Sequence, residues 1–146
     1  MFPKHRSWMK KQWDIYQKDG KLSIPTGFYV YAPMRKNNTP NTPIQGSAYH
    51  CNQRTFNKIS AFIQEKNLKS RLLYQIHDAI YATVEPGEED LLDWAIWYYG
   101  TQEIRQEWKW LIATLYYEKE MGEIGKDWST LKEVGLLGKD GKVIKK

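Results

Sequence analysis

Arg71-Leu72-Leu73-Tyr74-Gln75-Ile76-His77-Asp78-Ala79-Ile80-Tyr81-Ala82-Thr83-Val84 is the most β-prone run of this 146-residue chain, and one residue in it does not belong inside a strand. Aspartate is depleted in strand interiors because a short charged side chain packs poorly on a pleated surface. A tight turn at His77-Asp78 resolves the conflict: two strands pair as a hairpin and the carboxylate is presented at its tip. A carboxylate on a rigid β scaffold suits a hard cation such as magnesium, which prefers oxygen ligands in near-octahedral geometry. The competing reading is an edge-strand aspartate that simply faces water.

About thirty residues upstream stands Asn41-Thr42-Pro43-Ile44-Gln45-Gly46-Ser47. Asn and Gln side chains carry both donors and an acceptor. Against a DNA minor groove, the amide NH₂ groups of Asn41 and Gln45 can meet purine N3 and pyrimidine O2, acceptors that A·T and G·C pairs share. Such contacts test the shape of a base pair rather than its identity. Read alone, the same residues are a loop leading into a helix with no partner. That helix is expected from about Ser47 to Lys66, with Ala48, Cys51, Phe56, Ile59, Phe62 and Ile63 on its apolar side and Arg54, Lys58 and Lys66 elsewhere.

Further out, Trp8, Met9, Trp13 and Tyr16 recur at near-helical spacing, predicting an amphipathic helix from Pro3 to Lys18 that ends near Asp19-Gly20. Pro25-Thr26-Gly27 between two β-prone runs predicts two short strands and a turn, and Ala32 to Pro43 reads as a loop. After the central run, Glu85-Pro86-Gly87 is a breaker, and Glu88, Glu89 and Asp90 suit a helix N-terminus. Helices are expected over about 88–99 and 102–110, then a strand over 113–119.

Composition bounds the rest. The chain is 41% hydrophobic, 14% aromatic and 27% charged, with a mean hydropathy of −0.71, which argues against disorder throughout. No apolar run approaches the ~20 residues of a membrane span, and the basic start lacks the apolar segment of a secretory signal. One cysteine, Cys51, allows no internal disulfide. The net charge of +5 is uneven: residues 1–71 hold 13 Lys/Arg against 3 Asp/Glu, and residues 85–125 hold 3 against 10. A basic half interleaved with aromatics can serve a polyanion such as nucleic acid, although charge alone equally fits a solvated surface.

Pro43-Ile44-Gln45-Gly46-Ser47-Ala48 at the start of a basic helix, followed by Tyr74-Gln75-Ile76-His77-Asp78, resembles the end of the polymerase domain in A-family DNA polymerases. That family includes bacterial DNA polymerase I and phage replicative enzymes. Its usual forms are Asn-x-Pro-x-Gln-Gly-[Thr/Ser]-Ala and a hydrophobic-x-His-Asp-Glu hairpin, the third conserved motif. Residues 20–27 resemble the short strands before the helix in phage members. Glu118 to Leu131, with Gly125-Lys126-Asp127-Trp128, resembles the family's closing strand and Gly-x-x-Trp ending.

The resemblance implies an α+β fold: an antiparallel palm-type sheet with a His-Asp hairpin, packed against amphipathic helices. Residues 1–133 would be the C-terminal part of a polymerase palm domain, and 134–146 a basic, flexible tail. It further implies that Asp78 is catalytic and ligates metal, one of the shared ligands of two Mg²⁺ ions. His77 would lie near the primer 3′ end, Gln45 and Asn41 at the minor groove of primer–template DNA, and Arg54 at a phosphate. The reaction implied is magnesium-dependent nucleotidyl transfer from dNTP in DNA replication, in the cytoplasm of a bacterial or phage-infected cell.

The chain departs from the family pattern in three ways. Ala79 stands where Glu usually follows His-Asp, no Asp-Tyr-Ser-type strand with the first metal-binding aspartate occurs, and the fingers helix with its dNTP-binding Lys and Arg is missing. The expectation is therefore a C-terminal palm subunit or fragment of a split polymerase, inactive alone. A larger polypeptide would supply fingers, thumb and the first palm aspartate. A non-catalytic DNA- or protein-binding palm remnant is the alternative, favoured by Ala79. A zinc site from His50, Cys51 and His77 is disfavoured, because adjacent helix residues point about 100° apart.

Overall fold

The computed structural model describes residues 3–144. Two compact units meet inside one helix, the first running to His50 and the second starting at Cys51. In the first unit, α1 (Pro3–Asp19) carries no buried residue. It ends at Gly20, whose φ of +66° a residue with a side chain adopts only at a cost. The strands β1 (Leu22–Ser23) and β2 (Tyr29–Val30) pair antiparallel, Leu22 opposite Val30. Leu22 and Ile24 are buried here.

The helix α2 spans Asn41–Glu65, so it begins six residues earlier than the sequence suggested. Pro43 permits this, because in the first helical turn a residue without an N–H leaves no intrahelical bond unmade. The entry is fixed by Asn38, whose carbonyl accepts from Thr42 N (3.0 Å) and Thr42 Oγ1 (3.0 Å). Gly46 sits inside the helix although glycine weakens helices by about 0.5–1 kcal/mol relative to alanine. A Cβ there would come within 2.6 Å of Ile24 Cδ1, so the close approach of Ile24 explains the glycine.

In the second unit, β3 (Arg71–Ile76) and β4 (Ala79–Thr83) form an antiparallel pair with a register shift between Leu72 and Tyr74. The C-terminal half of α2, this pair and α3 (Glu89–Trp97) enclose the core. Ile59, Phe62, Leu92 and Ala95 are buried there, with Leu72, Ile80, Trp94 and Tyr99 against them. From α3 the chain runs through a π-helical stretch (Tyr98–Glu103) into the single turn α4 (Ile104–Glu107). The separate helix expected over 102–110 is thus the end of one helical run, and it stops at Trp108, which leaves the helical region at ψ 83°. Gly100 in the π stretch lies directly beneath the ring of Tyr117, where a Cβ would collide.

The strand expected from 113 begins only at β5 (Glu118–Met121), after the half-buried Tyr117 ring. It pairs with β6 (Lys132–Leu137), and β6 pairs with β7 (Val143–Ile144). The segment expected as a basic, flexible tail, 134–146, carries regular structure over its described part. Residues 134–144 lie largely in β6, a short 3-10 turn and β7, Leu137 is buried, and Gly141 packs onto the α3 backbone at Asp93 and Trp94. Gly141, with φ +76°, is what allows the close approach. Lys145 and Lys146 lie outside the described residues.

The fold is α+β with small antiparallel sheets and helices. In place of one larger sheet, the described residues form sheets of two, two and three strands. Among them no helix is long and apolar enough to cross a membrane.

Candidate functional site

The pairing of Ile76 with Ala79 leaves His77 and Asp78 as a two-residue turn at the tip of β3–β4. Asp78 is exposed there, as is His77. His77 holds φ +51°, a left-handed conformation that costs a residue with a Cβ roughly 1 kcal/mol or more. Gln75 braces the turn by donating from Nε2 to the His77 carbonyl at 3.1 Å.

Three further contacts fix the hairpin, none of them anticipated. Tyr74 and Tyr81 face each other across the strands at 4.9 Å between ring centroids. Trp128 covers both, at 5.6 Å from Tyr74 and 5.0 Å from Tyr81. It is carried on a 3-10 turn (Trp128–Thr130) capped by Asp127, whose Oδ1 accepts from Ser129 N at 2.9 Å. The Ser129 hydroxyl, which donates to the same oxygen at 2.5 Å, and the Ser129 N–H hold the Asp127 carboxyl below its ordinary range.

At the open end of the hairpin, Glu88 acts as a clamp. Its carboxylate accepts from Lys69 N (3.0 Å), Ser70 N (2.8 Å) and Ser70 Oγ (2.6 Å), while Ser70 Oγ accepts from Glu85 N (2.9 Å). The residues entering β3 are thereby tied to those leaving β4. The Lys69 and Ser70 donors lower the Glu88 pKa below 4.5. From its position Glu88 reads as a helix-terminus acid, and its spacing from Ser70 carries no signal of the clamp.

Arg54, expected at a phosphate, is engaged otherwise. Its side chain is 9% exposed, and its guanidinium donates to Glu103 (2.7 Å), to Glu107 (2.8 Å from Nε) and to the Tyr99 carbonyl (3.2 Å). Burial works against its charge, but the bonds to Glu107 and Glu103 outweigh it and raise the Arg54 pKa. Glu107 is correspondingly lowered, first through its hydrogen bond from Arg54. Four hydrogen bonds to three acceptors within the protein engage this guanidinium and hold α2 to the π stretch and α4.

Asn41 and Gln45 are exposed, four residues apart on α2 and hence on one helix face, rather than in a preceding loop. They belong to the first unit, whereas Arg54, His77 and Asp78 belong to the second. His50 Nδ1 is 2.5 Å from Thr26 Oγ1 and Cys51 is buried. Among the described residues no group of three or more His, Cys, Asp or Glu side chains could hold a metal ion. Asp78 alone does not make a two-metal site, so the donor set on this chain does not fit the magnesium pair by itself.

No family model matches the sequence. The chain is 40% identical over 53 residues to DNA polymerase I of Bacillus subtilis (strain 168), a match covering 36% of this chain and 6% of that protein. Its fold is similar to the POL domain of Pol1 from M. smegmatis, solved in complex with DNA primer-template and dNTP. The TM-score is 0.59 and the identity 26%, over 66% of this chain and 19% of that one. The chain therefore spans a small part of each relative, and what it resembles is a segment of the polymerase domain of DNA polymerase I.

Proposed function

We propose that this chain is the C-terminal palm segment of an A-family DNA polymerase, a subunit or fragment that contributes Asp78 and primer–template contacts and is inactive alone. The observation that carries the reading is the exposed His77-Asp78 turn on a braced hairpin, in a chain similar to the polymerase domain of DNA polymerase I. Residues 1–133 would form that palm part. Two magnesium ions, when bound, would neutralise charge at the primer 3′-hydroxyl and the triphosphate. This chain's part is to hold one carboxylate, Asp78, at a fixed tip, to set His77 near the primer end, and to offer Asn41 and Gln45 to the minor groove.

A larger polypeptide would supply fingers, thumb and the first aspartate, and the site would lie in the cytoplasm. The hairpin favours such completion. It is two-stranded, and Leu73 (49%) and Ile76 (41%) stay exposed on β3, an apolar surface that a second chain would cover. The second reading, a non-catalytic DNA- or protein-binding remnant, draws on Ala79, opposite Ile76, where the family carries glutamate.

Primer extension with this chain, with a fingers-bearing polypeptide, and with both tests the proposal. Activity only in the mixture, abolished by Asp78→Ala, is the expected result. Full activity of the mixture carrying Asp78→Ala overturns the catalytic role.

A further inference from the structure

We infer that the cleft between α1 and the turn at 36–40 binds single-stranded nucleic acid, with a base against Trp13 and phosphates on Arg6, Lys10 and Lys36. The cleft measures about 310 Å³ and lies wholly within the first unit. Arg6, Lys10, Trp13 and Asp14 line it from α1 at intervals of four, three and one residues, hence from one helix face. Lys36 and Asn37 close it from the other side.

The chemistry of the lining selects the ligand. Trp13 is half-buried and its ring is held against Tyr16 at 5.8 Å, which leaves a fixed aromatic surface at the cleft. Arg6, Lys10 and Lys36 are exposed, and none is in an ion pair among the described residues. Asp14 is the single opposing carboxylate. The surrounding charge has the same sign: residues 1–50 hold 8 Lys/Arg and 2 Asp/Glu, a balance of 8 − 2 = +6. An aromatic face flanked by unpaired cations suits a single strand, whose unstacked bases can lie on a ring while its phosphates follow the cations. A duplex, with its bases stacked inside, cannot use the ring. The cleft is therefore independent of the minor-groove reading of Asn41 and Gln45, and it does not require that reading to hold.

Fluorescence anisotropy of a labelled oligothymidylate with the full chain, across a salt series, tests this. Lys10→Gln with Lys36→Gln should weaken binding and lower the log–log salt slope by about 1.4, two contacts at ~0.7 each. Trp13→Leu should weaken binding at least ~5-fold, as loss of one stacked base does, with the slope kept. Lys11→Gln with Lys18→Gln removes the same charge from α1 outside the cleft and should change the slope less than the cleft pair. The inference is overturned if the two lysine pairs act equally, if Trp13→Leu binds as the unaltered chain does, or if the unaltered chain does not bind the probe at low salt.

Discussion

Trp128 stacks on Tyr81 with ring centroids 5.0 Å apart and planes 12° apart, although the two are 47 residues apart in sequence. The contact ties the closing 3-10 turn to the outer side of the hairpin that ends in His77-Asp78. Aromatic pairs contribute about 0.5–1.5 kcal/mol beyond area burial, and Trp128 makes two of them. Trp128→Ala should therefore cost on the order of 1–3 kcal/mol, read as a lower midpoint in a urea titration. Trp128→Phe should recover part of the loss. An unchanged midpoint for Trp128→Ala would mean the stack does not support the hairpin.

The hairpin was legible because an aspartate in an apolar β run has few solutions, and α1 was legible because its tryptophans keep helical spacing. The start of α2 was misjudged because Pro43 looks like a breaker, whereas at the third helical residue it disrupts nothing. The ion pairs of Arg54 were not legible for a different reason. A basic residue on a helix reads as solvent-facing or phosphate-facing, and its partners Glu103 and Glu107 are about fifty residues away, brought close only by the turn of the chain through the π stretch. Glu88, Trp128 and Tyr74–Tyr81 likewise act through long-range contacts, for which local periodicity carries no signal.

Arg54 supports a direct prediction. Breaking one side of a buried ion pair typically costs about 3–5 kcal/mol, because the remaining charges lose their partner. Glu107 is half-exposed, so the lower end applies, and Arg54→Ala should destabilise the chain by about 3 kcal/mol. A phosphate-binding arginine would instead leave stability near its original value and lower affinity for DNA. Thermal unfolding and oligonucleotide binding on the same variant distinguish the two.

Glu88 gives the chain an acid-sensitive clamp. Its pKa is lower in the folded chain than its ordinary value of 4.5, because Lys69 N and Ser70 donate to the ionised carboxylate. Its contribution is thus full above about pH 4.5 and is lost as pH falls through the depressed folded value. Glu107 behaves in the same sense through Arg54. Asp93 runs oppositely, since burial raises its pKa despite the 2.5 Å bond from Lys119. Comparing the chain with Glu88→Gln isolates the clamp. The variant should be less stable at neutral pH, and the two stability curves should converge on acidification below pH 4.5. Parallel curves down to strong acid would refute the role.

Gln45→Ala tests the minor-groove reading. The side chain is exposed on α2, one turn from Asn41, so its loss should leave stability within about 0.5 kcal/mol. In the two-polypeptide mixture, it should lower primer extension or the discrimination between matched and mismatched primer ends. If both remain as in the unaltered mixture, Gln45 does not read the duplex.

His77 offers the sharpest separation of structure from chemistry. Its left-handed backbone, at φ +51°, is unfavourable for a residue with a Cβ, whereas asparagine tolerates this region through local hydrogen bonding. A turn selected for stability alone would therefore gain from His77→Asn, by up to about 1 kcal/mol. Strained residues persist where a side chain serves a purpose at that position. The expected outcome is a variant at least as stable as the unaltered chain, with Asp78 still at the tip, but with reduced primer extension in the mixture. Undiminished extension by a stable His77→Asn variant would remove His77 from the primer end and leave Asp78 as the turn's single chemical contribution.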